Sequence, residues 1–418
     1  MNFRPNPLLY GAAEDFFSSF KLIITMRSLV DWDVLARSVE KAMARYPYFS
    51  ISPEIKGNCI LLQSNPRPVP VFRDGRCVVL GTEESNGHLL AFGCEGRRIL
   101  LHASHYIADG MGIFPLIKTV LFLYVSELYG TDGLNPDRID QPSDPVLEAE
   151  YTYPFPEKLT EMDRLPKKES DNVYSLNADA FDTDGLYAYH LHIPQKNMML
   201  QANPSDGSPV SFLSILLYRA LHTLDNTIAQ PIVVHIQHQY RTALKAPINR
   251  HSLVNYIPVA LPPKINNWNI ERQNTAMRGQ IIIGSEKDAE LRAVNRLLSV
   301  ISDEESMSLS EKQSAMRQYV ENSIRGKTFG ISYVGKTDWC GLDQYVEDIH
   351  AYIGEKASRN MLLMEVMTIR EDFTINFMQS GCGRQYVDAF MEQLNSYDIP
   401  VRIVGTERYT LCDTKIPG

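Results

Sequence analysis

The chain has 418 residues, a hydrophobic fraction of 44% and a formal net charge of −9. It exceeds the size at which a single hydrophobic core keeps growing, so two domains are expected. The acidic balance provides no basic stripe for a phosphate backbone, which argues against nucleic acid as a partner.

The first hundred residues predict a mixture of strands with one helix. The apolar stretch Phe20–Met26 predicts a strand, and Asp31 or Asp33 can cap a helix that Pro47 stops. A hairpin is predicted over residues 89–105, with its turn at Glu95-Gly96. Short strands are also predicted at residues 60–62, 69–72 and 77–80. This order is typical of an α/β sandwich.

The hairpin ends in Ser104-His105-Tyr106-Ile107-Ala108-Asp109-Gly110, where a histidine precedes an Asp-Gly turn by four residues. Period-two alternation places His105 on the same strand face as Leu101 and Ala103. Desolvation on an apolar face disfavours the imidazolium, so a neutral ring could accept a proton near pH 7. An ionised Asp109 buried at the turn would need a cationic partner. On these features alone, a satisfied core histidine beside an ordinary turn is the favoured interpretation.

The rest of the chain predicts a linker followed by a second α/β unit. After an apolar helix over residues 113–129, prolines and charges fill residues 131–185, including the run Pro166–Asn172, as expected for a linker or crossover. A helix should begin at Ser208-Pro209, and two polar helices are predicted between Ser285 and Arg325, the second from Ser310. Strands are predicted at residues 186–193, around 331, and at 361–367, 372–377 and 401–404, with an amphipathic helix over 386–394.

Several other kinds of site are not indicated. The six cysteines contain no CxxC pair, so they are expected to be reduced thiols without a metal site or disulfide framework. His190 with His192, and His235 with His238, are close in sequence but have no suitably spaced carboxylate or cysteine. The sequence has no GxSxG elbow, Walker loop or GxGxxG fingerprint. The N-terminus lacks a signal-peptide core and no apolar run approaches membrane-spanning length, so a soluble cytoplasmic protein is expected.

The segment from His105 to Gly110 resembles the HxxxDG core of the HHxxxDG motif. That motif belongs to the acyltransferases related to chloramphenicol acetyltransferase, which include peptide-synthetase condensation domains, plant BAHD enzymes and microbial alcohol acetyltransferases. Residues 232–241, ending in Arg241, and residues 252–259, with Asn255, are similar to the strand, arginine and Asn-aromatic pattern of the second half of these enzymes. Residues 329–335 resemble the family's Ser-Asn-x-Gly strand.

Three departures from the family pattern are visible in the sequence. Ser104 replaces the first histidine of the longer motif, and Tyr333 stands where asparagine is common. The second histidine is the family's base, so Ser104 does not directly affect the expected activity. The DFGWG motif of the plant enzymes is absent, which favours the alcohol acetyltransferase or condensation-like branch.

The resemblance implies a fold and a site. The fold class would be α/β (α+β), with two chloramphenicol acetyltransferase-like sandwich domains, residues 1–170 carrying HxxxDG and residues 171–418, and an active-site channel at their interface. His105 would be the general base, and Asp109 would act structurally by pairing with Arg241. Gly110 and Asn255 would support the site. Ser332 would be an oxyanion donor or a channel residue.

The resemblance also implies the partners. An acyl thioester, either acyl-coenzyme A or an acyl-carrier phosphopantetheine, would donate the acyl group to a small alcohol or amine acceptor. No bound cofactor or metal is expected, a carrier protein is a possible partner, and a monomer suffices. Two alternatives remain open: a non-catalytic relative that binds a carrier protein or ligand, and a thioester hydrolase.

Overall fold

The computed structural model describes residues 2–3, 5–12, 19–156, 172–176, 185–301, 306–353 and 361–416. The domain boundary expected between residues 170 and 171 lies outside these residues, as do residues 166–171 of the expected linker run.

The strands are β1 (Asn2–Phe3), β2 (Ser19–Met26), β3 (Ile51–Lys56), β4 (Cys59–Ser64), β5 (Val71–Phe72), β6 (Leu90–Glu95), β7 (Arg98–Ser104), β8 (Leu186–Pro194), β9 (Ile232–Gln239), β10 (Val254–Leu261), β11 (Phe329–Tyr333), β12 (Val346–Tyr352), β13 (Leu362–Ile369), β14 (Asp372–Ser380) and β15 (Arg402–Tyr409). The helices are α1 (Trp32–Met43), α2 (Gly110–Tyr129), α3 (Gln195–Ala202), α4 (Pro209–Leu224), α5 (Ile270–Gly284), α6 (Lys287–Ser299), α7 (Leu309–Arg325) and α8 (Gln385–Asn395).

The strands form two main sheets, each with its own core. The N lobe is built on a five-stranded sheet of order β12-β2-β7-β6-β5, with α1 and α2 packed together in its core. The C lobe is built on a seven-stranded mixed sheet of order β10-β9-β11-β13-β14-β8-β15, with α4 and α8 packed in its core. A small third sheet has the order β1-β4-β3. The mixed α/β fold expected from the sequence is therefore confirmed.

One strand from the C-terminal half of the chain completes the N-lobe sheet. Strand β12 pairs antiparallel with β2, so that Ile349 lies opposite Ile24. An apolar layer that includes Ile23, Leu363 and Met378 lies between the two main sheets. The two halves of the sequence are thus interleaved in space, although each contributes most of one lobe.

Most predicted elements are present with shifted ends. Asp31 caps α1, since its Oδ1 accepts a hydrogen bond from the Val34 amide at 3.0 Å, and Ser208 caps α4. The strand predicted at residues 77–80 is wrong, because only Leu80 forms an isolated bridge. Helix α5 was missed in the sequence. Helix α7 begins at Leu309 with Ser308 as its N-cap, one residue earlier than expected.

Helix α2 differs from the expectation in two ways. It begins at Gly110 instead of Ile113, because Asp109 already caps it. Among the described helices it alone is long and apolar enough to cross a membrane by length and composition, so the expectation that no run approaches that length was wrong. More than half of its apolar window is buried within the protein, which is the usual state of a core helix.

Candidate active site

A cavity of about 490 Å³ lies where the two lobes meet. Its wall includes Phe20 and Ile113 from the N lobe and Leu363 and Met367 from the C lobe. The sequence-predicted site residues all line it: His105, Asp109, Gly110, Arg241, Asn255 and Ser332. Folding therefore brings together residues that are up to 227 positions apart in the chain. Their roles remain predictions, but their convergence on one cavity is a structural fact.

Asp109 and Arg241 form a buried, bidentate ion pair at the edge of this cavity. Arg241 Nη1 donates to Asp109 Oδ2 at 2.7 Å, and Nη2 donates to Oδ1 at 2.8 Å. The two side chains are only 6% and 4% exposed, respectively. Arg241 also donates to the backbone carbonyls of Asn249 and His251. This is the pairing expected from the sequence, and it ties the loop after β9 to the start of α2.

Backbone amides complete the coordination of the Asp109 carboxylate. Its Oδ1 accepts from the Gly112 amide at 2.8 Å as the N-cap of α2, and its Oδ2 accepts from the Leu253 amide at 2.9 Å. A β-carbon on Gly112 would lie 2.1 Å from the Arg250 carbonyl oxygen, so only glycine fits there. Gly112 is thus needed for close backbone approach and not for a positive φ. Gly110 opens α2 and faces Val334.

His105 lies one residue beyond the end of β7, within the turn that leads to α2. Its ring packs edge-to-face against Phe20 with the centroids 5.3 Å apart, and Nδ1 is 3.3 Å from Ser252 Oγ. Burial lowers the pKa of His105, against opposing effects from the Asp109 charge and from a hydrogen bond with its own backbone. The ring is therefore neutral near pH 7. If Nδ1 carries the proton towards Ser252, Nε2 is free to accept one.

Ser332 has a partner that the sequence did not reveal. Ser332 on β11 lies opposite Glu365 on β13, and its Oγ donates to Glu365 Oε1 at 2.9 Å. Glu365 is 5% exposed, lines the cavity, and forms no ion pair with any described residue. Burial raises the pKa of Glu365 to about 8. A neutral Glu365 can donate its own proton to Ser332 Oγ, which would release the serine hydroxyl hydrogen for another acceptor.

Replacing Glu365 with glutamine should change how stability depends on pH. A carboxyl whose pKa rises from its usual value near 4.5 to about 8 on folding makes the native state lose stability as pH rises through that interval. Glutamine imitates the neutral acid and does not titrate. The stability of Glu365→Gln relative to wild type should therefore increase by about 1.4 kcal/mol per pH unit between pH 4.5 and 8.

Urea unfolding across this pH range measures the difference. The matched control is Glu54→Gln, at an exposed position on β3. A Glu365→Gln difference that stays constant from pH 4.5 to 8 would show that the buried carboxyl is ionised throughout.

Asn255, Ser252 and Glu365 illustrate what the sequence does and does not reveal. Asn255 lies on β10 opposite His238 and lines the cavity, while its supporting role stays a prediction. Ser252 begins the segment 252–259 that resembles the family pattern, but nothing in its spacing predicted a contact with His105. A signal for Glu365 was present, since a lone glutamate interrupts the apolar stretch Met361–Met367.

Comparison with known proteins identifies solved structures with a similar fold. No family model matches the chain, and no curated protein sequence matches it significantly. Among solved structures, TRI101 of F. sporotrichioides, complexed with coenzyme A and T-2, superposes with a TM-score of 0.64 at 9% identity, covering 97% of this chain and 100% of that one. Polyketide synthase associated protein 5 from Mycobacterium tuberculosis gives 0.57 at 13% identity, covering 94% and 96%.

A third similar structure is the condensation domain from the Monacolin K polyketide synthase MokA. Its TM-score is 0.52 at 10% identity, and the match covers 95% of this chain and 96% of that one. These likenesses extend over both lobes and over nearly the whole length of every chain compared. The protein therefore has the two-lobed, chloramphenicol acetyltransferase-like fold that these three structures share.

Proposed function

We propose that the protein is an acyltransferase that moves an acyl group from a thioester to an alcohol or amine acceptor, with His105 as general base. The observation that carries the proposal is the position of His105. It is a neutral imidazole facing a cavity between the lobes, next to a loop that the Asp109–Arg241 pair holds in place. The likeness to TRI101 in complex with coenzyme A supports acyl-coenzyme A as the donor.

In the proposed reaction the acceptor hydroxyl or amine attacks the thioester carbonyl carbon. His105 Nε2 takes the proton from the attacking group, and a tetrahedral oxyanion forms. As the carbon–sulfur bond breaks, the imidazolium returns that proton to the leaving thiolate. No covalent acyl-enzyme is required. The net reaction converts thioester and acceptor into ester or amide and free thiol.

Ser332 is the proposed donor to the oxyanion. When neutral Glu365 donates to Ser332 Oγ, the serine hydroxyl hydrogen is free to stabilise negative charge in the cavity. Asp109 takes no proton in this scheme. Its proposed role is to fix the turn that carries His105, through the ion pair and the two backbone amides.

The cavity wall supports a partly apolar acceptor or acyl chain. Leu8, Phe20, Ile113 and Val334 contribute hydrocarbon surface, which makes up most of the accessible wall, although many lining residues also carry polar groups. The volume of about 490 Å³ lies within the range of small-molecule sites. A phosphopantetheine thioester on a carrier protein is the other proposed donor, which the likeness to a condensation domain supports.

Release of free thiol from a panel of acyl-coenzyme A donors tests the proposal. Wild-type protein is incubated with each donor, with and without pooled alcohols and amines, and products are identified by mass spectrometry. Acceptor-dependent release with formation of an ester or amide is the expected result. Release that is independent of acceptor would identify a thioester hydrolase instead. Absence of release from both coenzyme A and carrier-protein donors would contradict the proposal and favour a binding protein.

A further inference from the structure

Three side chains that commonly bind metals meet on the N lobe, outside the cavity. Cys77 Sγ is 3.0 Å from Cys412 Sγ, and Cys412 Sγ is 2.9 Å from His102 Nδ1. Within the described residues this is the one group of three histidine, cysteine or acidic side chains whose ligand atoms all lie within 4.8 Å of one another. None of the three lines the cavity.

The fold holds these side chains together through the C-terminal segment, residues 410–416. Leu80 and this segment exchange backbone hydrogen bonds: the Leu80 amide donates to the Asp413 carbonyl, and the Lys415 amide donates to the Leu80 carbonyl, both at 2.8 Å. Ser19 Oγ donates to the Cys412 carbonyl. His102 is fixed within β7. The sequence could not show this cluster, because 335 residues separate the two cysteines.

The surroundings favour thiolate sulfur. The Val78 amide donates to Cys412 Sγ at 3.3 Å, a contact that supports a negatively charged ligand. The buried Lys21 lies opposite His102 in the neighbouring strand and raises the local positive potential.

We propose that Cys77, His102 and Cys412 form a binding site for a zinc ion. Zinc prefers thiolate and imidazole ligands in tetrahedral geometry, with bonds of about 2.3 Å to sulfur and about 2.0 Å to nitrogen. Such a site needs about 3.8 Å between the sulfurs, so the two cysteine side chains must separate by less than 1 Å. Cys77 is partly exposed, so that water can occupy the fourth position. Both cysteines bind the ion as thiolates, so binding releases their thiol protons.

The bound ion would have a structural effect. His102 and Cys412 are each 2% exposed and belong to segments far apart in sequence, so an ion shared between them would fasten residues 410–416 to the N-lobe sheet. A ligand that binds the folded state alone stabilises it in proportion to the logarithm of its concentration over its dissociation constant. The site should therefore raise the melting temperature without supplying a group to the cavity.

Titration of metal-free, reduced protein with Zn²⁺ against a chromophoric chelator tests the site. One ion per chain should bind. Cys77→Ser, Cys412→Ser and His102→Ala should each weaken binding by at least about 100-fold, since even residues that only support ligands account for 10- to 100-fold. Cys382→Ser, at an exposed cysteine outside the cluster, is the matched control and should bind as wild type does.

Cobalt provides a measurement that does not require the variants to fold. Co²⁺ added to the wild-type protein should give the absorption of a tetrahedral site with thiolate-to-metal charge transfer. Failure to bind one ion, or binding that Cys412→Ser leaves unchanged in a folded protein, would overturn the proposal. Intact mass spectrometry provides a further check. A mass lower than that of the reduced protein by two hydrogens, which persists with Zn²⁺ present and disappears on reduction, would mean that the cysteines form a disulfide. That result would also overturn the proposal.

Discussion

Replacing His105 with alanine should lower acceptor-dependent thiol release by about 10²- to 10⁴-fold, the usual contribution of a positioned general base. The loss should fall on kcat and on kcat/KM together, because the proton is transferred only as the acceptor attacks. The His105 ring contacts the Phe20 and Ser252 side chains, and the backbone with which it forms a hydrogen bond is its own. The variant should therefore remain folded, as circular dichroism can verify.

His235 offers a matched control. It also presents an imidazole to the cavity, stacked on Tyr256 with the ring centroids 4.1 Å apart. His235→Ala should retain far more activity than His105→Ala. If His105→Ala is folded and turns over at the wild-type rate, the assignment of the base is wrong.

The pH profile of the wild type adds a second readout for the same group. Because burial lowers the pKa of His105, the ring stays neutral to a more acidic pH than an exposed histidine does. The acid limb of kcat/KM should accordingly lie below the ordinary histidine pKa of about 6.5. His105→Ala should abolish this limb along with the activity.

Replacing Asp109 with asparagine should destabilise the protein by about 3–5 kcal/mol, the usual result of leaving one partner of a buried ion pair uncompensated. The asparagine oxygen can still accept from the Gly112 amide. In the wild type, Arg241 Nη1 and the Leu253 amide both donate to Asp109 Oδ2. In the variant, the asparagine NH2 group would face these two donors and could accept from neither. Urea unfolding measures the loss, and the rate at a temperature where the variant is folded should also fall.

The chain contains a suitable control for the charge change itself. Asp388 pairs with Arg384 on the exposed surface of α8, where ion pairs contribute about 0–1 kcal/mol. Asp388→Asn should therefore change stability little. The double variant Asp109→Asn/Arg241→Leu should lose less than the sum of the single changes, since it removes the unpaired cation. An Asp109→Asn protein with full stability and no activity would instead mean that Asp109 takes part in the chemistry.

The sequence predicted the parts of the site that depend on local patterns. The segment from His105 to Gly112 combines a strand end, a helix cap and a close backbone approach, so each feature depends on residues a few positions apart. The caps at Asp31 and Ser208 were visible for the same reason. Arg241 was found through the family resemblance, and burial of a carboxylate explains why such a partner is needed.

What the sequence did not reveal depends on long-range pairing. Glu365 reaches Ser332 because strand order in the C lobe places β13 beside β11. Ser252, in the loop before β10, reaches His105 because the two lobes meet at the cavity. Periodicity identifies which face of a strand is buried but not which strand lies beside it. The strand predicted at residues 77–80 failed similarly, because its apolar residues pack near Cys412 without forming a ladder.

Strand β12 also has a consequence for how the chain is made. During synthesis from the N-terminus, β2 leaves the ribosome early, whereas its partner at the sheet edge follows roughly 320 residues later. Until then the outer edge of β2, with buried residues such as Leu22 and Ile24, has no strand to cover it. An open apolar edge is a template for pairing with other chains. The nascent N lobe should accordingly depend on chaperones until β12, which ends at Tyr352, has emerged.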